Sequence, residues 1–201
     1  MLIGLMTLIS WAQLPSNGLY SIDATRSTIE LGVFIEGLFK AFGHDHKIAA
    51  KSFSGTIQFN SGKVEDSSVT LSIESKSLTV LDPDASEKDR REVQATMEGT
   101  RVLNAQEFPK ISFRSTRVSN TKRAGDDIEL TLAGKLNFHG VEKEITLPIR
   151  VRLEKALLRA MGMVSVAQTD FGLTPIKVGG GTVRVKDVVK VSFNLVAERT
   201  N

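Results

Sequence analysis

Ile128-Glu129-Leu130-Thr131-Leu132-Ala133-Gly134-Lys135-Leu136-Asn137-Phe138-His139-Gly140-Val141-Glu142-Lys143-Glu144-Ile145-Thr146-Leu147-Pro148-Ile149-Arg150-Val151-Arg152-Leu153 decides the fold. Ile128, Leu130, Leu132, Leu136 and Phe138 share one phase of a period of two. Ile145, Leu147, Ile149, Val151 and Leu153 share the next. The opposite phase carries Glu129, Thr131, Lys135 and Asn137, then Glu144, Thr146, Arg150 and Arg152. Such alternation means long strands with one apolar face and one wet face, which belong to antiparallel sheets. His139-Gly140 is the tight turn between them. Antiparallel neighbours present the same side, so the two apolar faces merge into one wall.

The same period runs outward in both directions. Ile29, Leu31, Val33 and Ile35 alternate with Thr28, Glu30, Gly32 and Phe34, and Val69, Leu71 and Ile73 alternate with polar residues. Val183, Val185, Val189, Val191, Phe193 and Leu195 close the series. Asn60-Ser61-Gly62-Lys63, Ala124-Gly125-Asp126-Asp127 and Gly179-Gly180-Gly181 are turn chemistry. The expectation is an all-β domain: an antiparallel up-and-down barrel of about eight strands, whose closure removes exposed edges. Ser86 to Asn104 breaks the pattern. Val93 and Met97 lie four apart, Ser86 stands three before Asp89, and Gly99 can end the helix. This segment is expected as a short helical cover over a barrel opening. Leu38 to Phe42 is expected as a second helical turn.

Composition narrows the function. Of 201 residues, 41% are hydrophobic and 24% charged, which excludes a mainly disordered chain and a polytopic membrane protein. Lys+Arg numbers 26 against Asp+Glu 23, too small an excess to argue for nucleic acid. With no cysteine, disulfides, thiolate metal sites and cysteine nucleophiles are excluded. Leu2 to Ile9 is one apolar run, too short for a bilayer span of about 20 residues. Ser10-Trp11-Ala12 follows it with small residues suited to cleavage after Ala12. Residues 1–12 are therefore expected to be a signal peptide, and the protein periplasmic or secreted. No Lys or Arg precedes the run, and the alternatives are an N-terminal strand or an amphipathic anchor. Residues 13–19 read as an extension, and 20–201 as one domain.

Gly43-His44-Asp45-His46 is the densest polar cluster. On a strand, His44 and His46 would point the same way about 7 Å apart. A third ligand such as His139 or Asp170 would complete a metal site. The competing readings are a polar rim that meets a ligand head group and a purely structural cap. No Gly-x-Ser-x-Gly elbow or phosphate loop is present, and no cofactor is called for. Arg90 and Arg114 are candidate rim cations for an anionic head group. Ten phenylalanines matter more. Phe34, Phe39, Phe42 and Phe53 are expected to line the interior with Leu130, Leu132, Leu136, Phe138, Leu147 and Ile149, because core and ligand cavity coincide in a barrel.

Several segments together resemble the YceI-like family, the lipocalin-like polyisoprenoid-binding proteins of bacteria. They are Tyr20 to Ser27, Phe108-Pro109-Lys110-Ile111-Ser112-Phe113-Arg114-Ser115, Gly134 to Lys143 with its His139-Gly140-Val141, Thr169-Asp170-Phe171-Gly172, and Asp187 to Val191. Arg26, the Gly-His-Asp-His segment and Asp89-Arg90-Arg91-Glu92 depart from the family pattern, as in a divergent branch. The resemblance implies a lipocalin-like barrel that holds an isoprenoid (polyprenyl or quinone-like) or other long-chain amphiphile in its lumen without catalysis. It leaves a homodimer open. The rivals are a metal-assisted hydrolase using His44 and His46, and an interaction module whose barrel is filled by side chains.

Overall fold

The computed structural model describes residues 17–37 and 45–200, so the segment from Leu38 to His44 and residues 1–16 lie outside the described residues. The expected signal peptide and second helical turn fall there, as do Phe39, Phe42 and His44.

The chain is mostly β. Its strands are β1 (Asn17–Ile22), β2 (Thr28–Glu36), β3 (His46–Ala50), β4 (Phe53–Asn60), β5 (Ser68–Glu74) and β6 (Leu78–Val80). After one helix, α1 (Glu87–Glu98), come β7 (Lys110–Ala124), β8 (Asp127–Phe138), β9 (Val141–Glu154), β10 (Leu157–Ala167), β11 (Lys177–Val178) and β12 (Val183–Arg199). Every pairing is antiparallel. β1 and β2 run along successive stretches of β12 and form one bent course. β3 continues into β4 across Lys51-Ser52, and β5 into β6 across the short helical turn Ser75–Ser77. The result is a closed barrel of eight courses, with β12 sealing against β1 and β2. Closure gives the long strands a neighbour on both sides, which removes the free sheet edges, though β9 and β10 pair only over residues 149–154 and 157–162.

The long hairpin sets the register. Leu132 stands opposite Leu147, Leu130 opposite Ile149 and Ile128 opposite Val151, so the apolar phases of β8 and β9 share one face. His139 and Gly140 both have positive φ, 52° and 75°. A two-residue turn of that hand matches the twist of the strands it joins. On the wet face Arg152 meets Asp127 at 2.6 Å, Arg150 meets Glu129 at 3.0 Å and Lys135 meets Glu142 at 2.8 Å. These pairs order the outer wall; the two exposed ones, Arg150–Glu129 and Lys135–Glu142, add little stability.

α1 lies beside β6. The Ser86 side chain accepts a hydrogen bond from the Asp89 N–H and Gly99 caps the other end. β6 is bonded to β3 on one side only. Its other edge is completed by a side chain: the Val80 N–H donates to Gln94 Oε1 at 2.8 Å, and Gln94 Nε2 donates to the Leu78 carbonyl at 2.8 Å. One amide thus serves as a strand's donor and acceptor, and holds the helix across the end of the barrel that carries the His139-Gly140 tip. Ser75 ties that end to the Phe108-Pro109 segment: its hydroxyl donates to the Phe108 carbonyl at 2.6 Å and its N–H to the Pro109 carbonyl at 2.9 Å.

Candidate functional site: an apolar lumen

The inward phases of the strands do not fill the barrel. They enclose a cavity of about 260 Å³, near the lower end of small-molecule sites. Leu130, Leu132, Leu136 and Phe138 of β8 line it, with Leu147 and Ile149 of β9. Val164 and Val166 of β10, Val189 and Val191 of β12, and Leu31 and Val33 of β2 continue the wall. Met97, Val102 and Leu103, from the end of α1 and the turn after it, supply the cover. Among the lining residues only Ser67, Ser68 and Gln168 are polar, and Gln168 Nε2 is bonded to the Lys186 carbonyl at 2.9 Å. Such a surface offers a ligand van der Waals contact and release of water, and almost no hydrogen bonds.

Two glycines keep the space open. Gly134 and Gly162 occupy inward positions of β8 and β10. A Cβ at Gly134 would collide with the Phe113 ring and lie 2.6 Å from the Arg114 carbonyl oxygen. At Gly162 a Cβ would lie 2.6 Å from the Phe193 ring, and Gly162 and Phe193 are direct cross-strand partners. Each ring therefore takes the space over a bare glycine of the neighbouring strand, and both line the lumen. The sequence reading missed Phe113 and Phe193 as wall residues. Phe193 faces Gly162 directly, whereas Phe113 faces Leu136 and reaches Gly134 diagonally, so an in-phase phenylalanine and glycine on neighbouring strands was the readable signal.

The other expected site residues are distributed differently. Phe34 does not face the interior. It sits on the outward phase of β2 beside Gly32, with the Lys190 ammonium 5.5 Å from its ring centre. The alternation of Ile29, Leu31, Val33 and Ile35 forces this, since neighbours on a strand point to opposite faces. Phe53 is buried in the core, paired with Ile73, but does not reach the cavity wall. Arg114 is not at a rim. It stands in mid-strand on the outer face between Thr70 and Lys135. Arg90 is held by the loop before α1, where its guanidinium donates to the Ala85 carbonyl at 2.6 Å.

His46 does lie at the tip end of β3 on the inward phase, opposite Val33. Its Nδ1 is 2.7 Å from Asp82 Oδ2, and Asp82 Oδ1 accepts the Lys47 N–H at 2.7 Å. Asp82 is only 3% exposed, so burial requires such partners. Asp45, read as a partner for an imidazole, instead accepts the Ile35 N–H at 2.9 Å. Among the described residues no group of three His, Asp or Glu side chains is arranged to hold a metal ion.

The Thr169-Asp170-Phe171-Gly172 segment closes the tip end from the other side. Asp187 accepts from the Thr169 N–H at 2.9 Å and its hydroxyl at 2.7 Å, and these bonds hold the Asp187 carboxyl below the usual range. The clamp fixes Phe171, which is 1% exposed and packs 5.5 Å from Phe138. Gly172, at φ 75°, makes the left-handed exit that a side chain would resist.

Solved structures share this architecture. BcnA of Burkholderia cenocepacia superposes with a TM-score of 0.69 at 20% identity, covering 87% of this chain and 98% of its own. A polyisoprenoid binding domain from Saccharophagus degradans, implicated in plant cell wall breakdown, gives 0.64 at 14% identity, covering 90% and 98%. The YceI protein of Campylobacter jejuni gives 0.57 at 13% identity, covering 77% and 85%. These likenesses establish the fold. No curated protein matches the sequence significantly. Residues 20–197 match the YceI-like domain, and the chain belongs to that family.

Proposed function

We propose that the protein is a non-catalytic lipid carrier that holds the tail of an isoprenoid, or of another long-chain amphiphile, in its lumen. The observation that carries this is the nearly all-apolar wall around about 260 Å³ of space. About ten buried CH₂ equivalents yield roughly 8 kcal/mol gross, or about micromolar affinity before ordering costs. A tail can therefore supply the binding while the polar head stays outside. The description of the Saccharophagus relative as polyisoprenoid-binding supports this choice of tail. An interaction module with a filled barrel fits less well with a cavity whose wall carries Gly134 and Gly162 under the Phe113 and Phe193 rings. A hydrolase based on His44 and His46 gains no support from His46, whose imidazole is bonded to Asp82.

Mass spectrometry of lipids extracted from the natively purified protein tests the proposal. One class of long-chain amphiphile, near one per protein, is expected. Lipid-free protein that also fails to take up a fluorescent isoprenoid analogue would refute it. The carrier would act in the periplasm or outside the cell after loss of residues 1–12. N-terminal sequencing from the native host should then start at Gln13, and soluble cytoplasmic protein retaining Met1 would refute the placement.

A further inference from the structure

The barrel wall is not zipped all the way between β9 and β10. From the turn between Glu154 and Leu157 the two strands pair as far as Ile149 and Gly162 and no further. Beyond that point residues 163–167 of β10 stay paired with β12, and residues 141–148 of β9 with β8, so a gap opens toward the tip end. The sequence sets where the strands part. In an antiparallel pair every second cross-strand couple exchanges both backbone bonds, starting with the couple that closes a two-residue turn. Counted from Phe138 and Val141, the couple Thr131 and Pro148 exchanges none, so the backbone of Pro148 faces β10. Counted from Glu154 and Leu157, Arg152 exchanges with Arg159 and Arg150 with Met161, and the next couple due is Pro148 and Met163. Proline has no N–H to give, and the ladder stops there. Gly162 lies at the same spot, where a Cβ would stand 2.8 Å from the Pro148 carbonyl oxygen.

The gap opens onto the lumen. Ile145 and Leu147 line the cavity on one side of it, Val164 and Val166 on the other. Where the strands are zipped, the inward residues Ile149, Val151, Leu158 and Ala160 are buried. Ile145, Val164 and Val166 keep the inward phase but are only half-buried. Outside, Met163 is 55% exposed at the lip. The turn Gln168–Phe171 packs against both strands and bounds the gap at the tip end. Residues 163–167, at about 3.3 Å each, make it a slot about 17 Å long. We infer that the tail of the amphiphile enters and leaves the lumen sideways through this slot. The inference rests on the carrier reading. A tail that crosses the wall here breaks no strand bond, because none is made, and it meets the apolar Met163 at the lip. Elsewhere the ladders are complete, the far end is packed with the buried Tyr20, Phe59, Leu158 and Ala197, and Met97, Leu103 and Phe171 cover the tip end.

The chain has no cysteine, so introduced thiols are unique. Continued register sets Thr146 opposite Ser165, both outward and exposed. In the double variant Thr146→Cys/Ser165→Cys, bismaleimidoethane lays a covalent strap across the slot. The control is Thr56→Cys/Thr70→Cys, strapped across exposed direct partners of the zipped strands β4 and β5. In stopped-flow with a fluorescent isoprenoid analogue, the slot strap should slow association and dissociation alike, at least about tenfold, and the control strap neither. Kd should hold, because the lumen itself is intact. Pro148→Val restores the missing N–H and should slow both rates as well. Wild-type rates in the slot-strapped protein, with the crosslink verified by mass, would overturn the inference and leave the carrier reading standing. An analogue that does not bind the unmodified protein would remove the carrier reading and the route with it. Amide hydrogen exchange checks the slot without lipid. The Thr146 and Ser165 N–H groups point into it and should exchange fast, while those of Arg150 and Arg159 are held in the ladder and should exchange slowly. Equal protection at all four would show a closed wall and overturn the inference.

Discussion

Leu147→Trp separates a ligand cavity from a packed core. Leu147 is 5% exposed, faces Leu132 across the hairpin and lines the lumen. An indole there enters a space of about 260 Å³. It displaces the equivalent of about three methylenes of ligand tail; at about 0.8 kcal/mol each this removes about 2.4 kcal/mol, or weakens binding about 50-fold. The empty protein should lose little, because the ring fills space that no side chain occupies. A packed core would instead be overfilled at a cost of about 1–3 kcal/mol, and Tm would fall by about 2–4 °C for each kcal/mol. The assay is titration with a fluorescent isoprenoid analogue, run beside a thermal melt followed by far-UV circular dichroism. Weak binding with an unchanged melt is the expected result. Unchanged binding with a large loss of Tm would refute the reasoning.

Gly134→Ala should lower stability by about 1–3 kcal/mol in urea unfolding, because its methyl meets the Phe113 ring and the Arg114 carbonyl; a shift below about 0.5 kcal/mol, the scale of ordinary surface substitutions, would show that the ring is not held against the wall. Gln94→Ala strips β6 of its edge partners and should cost about 1–3 kcal/mol by the same assay, with a neutral result showing that water replaces the amide. Asp23 has its pKa lowered from 3.8 to about 2, chiefly by the Thr25 hydroxyl and then by Arg26. A depressed carboxylate stabilises the fold above its unfolded pKa and loses that contribution as pH falls through the folded value. Melts of wild type and Asp23→Asn should therefore differ above pH 3.8 and converge toward pH 2, and parallel curves would contradict this.

Much of the fold was legible because its signals are local. The phases of β8 and β9 and the His139-Gly140 turn specify a hairpin whichever partners lie beyond it. Ser86, Asp89 and Gly99 mark the helix through bonds made within one turn at each end. Phe34 was legible too, since the alternation around it points outward, and grouping it with the other early phenylalanines overrode that signal. Phe53 was harder. Burial follows from its phase, but distance from the cavity depends on where β4 crosses the barrel.

The sequence alone thus determined the strand phases, the turns, the helical cover and, through its motifs, the family. Tertiary structure alone decided that the barrel closes through β12 onto β1 and β2, because that pairing joins segments from opposite ends of the chain. It also decided that the interior is hollow. A cavity is the volume left after distant side chains have packed, and no local pattern encodes it. Here it depends on Phe113 lying over Gly134 and Phe193 over Gly162, contacts between strands.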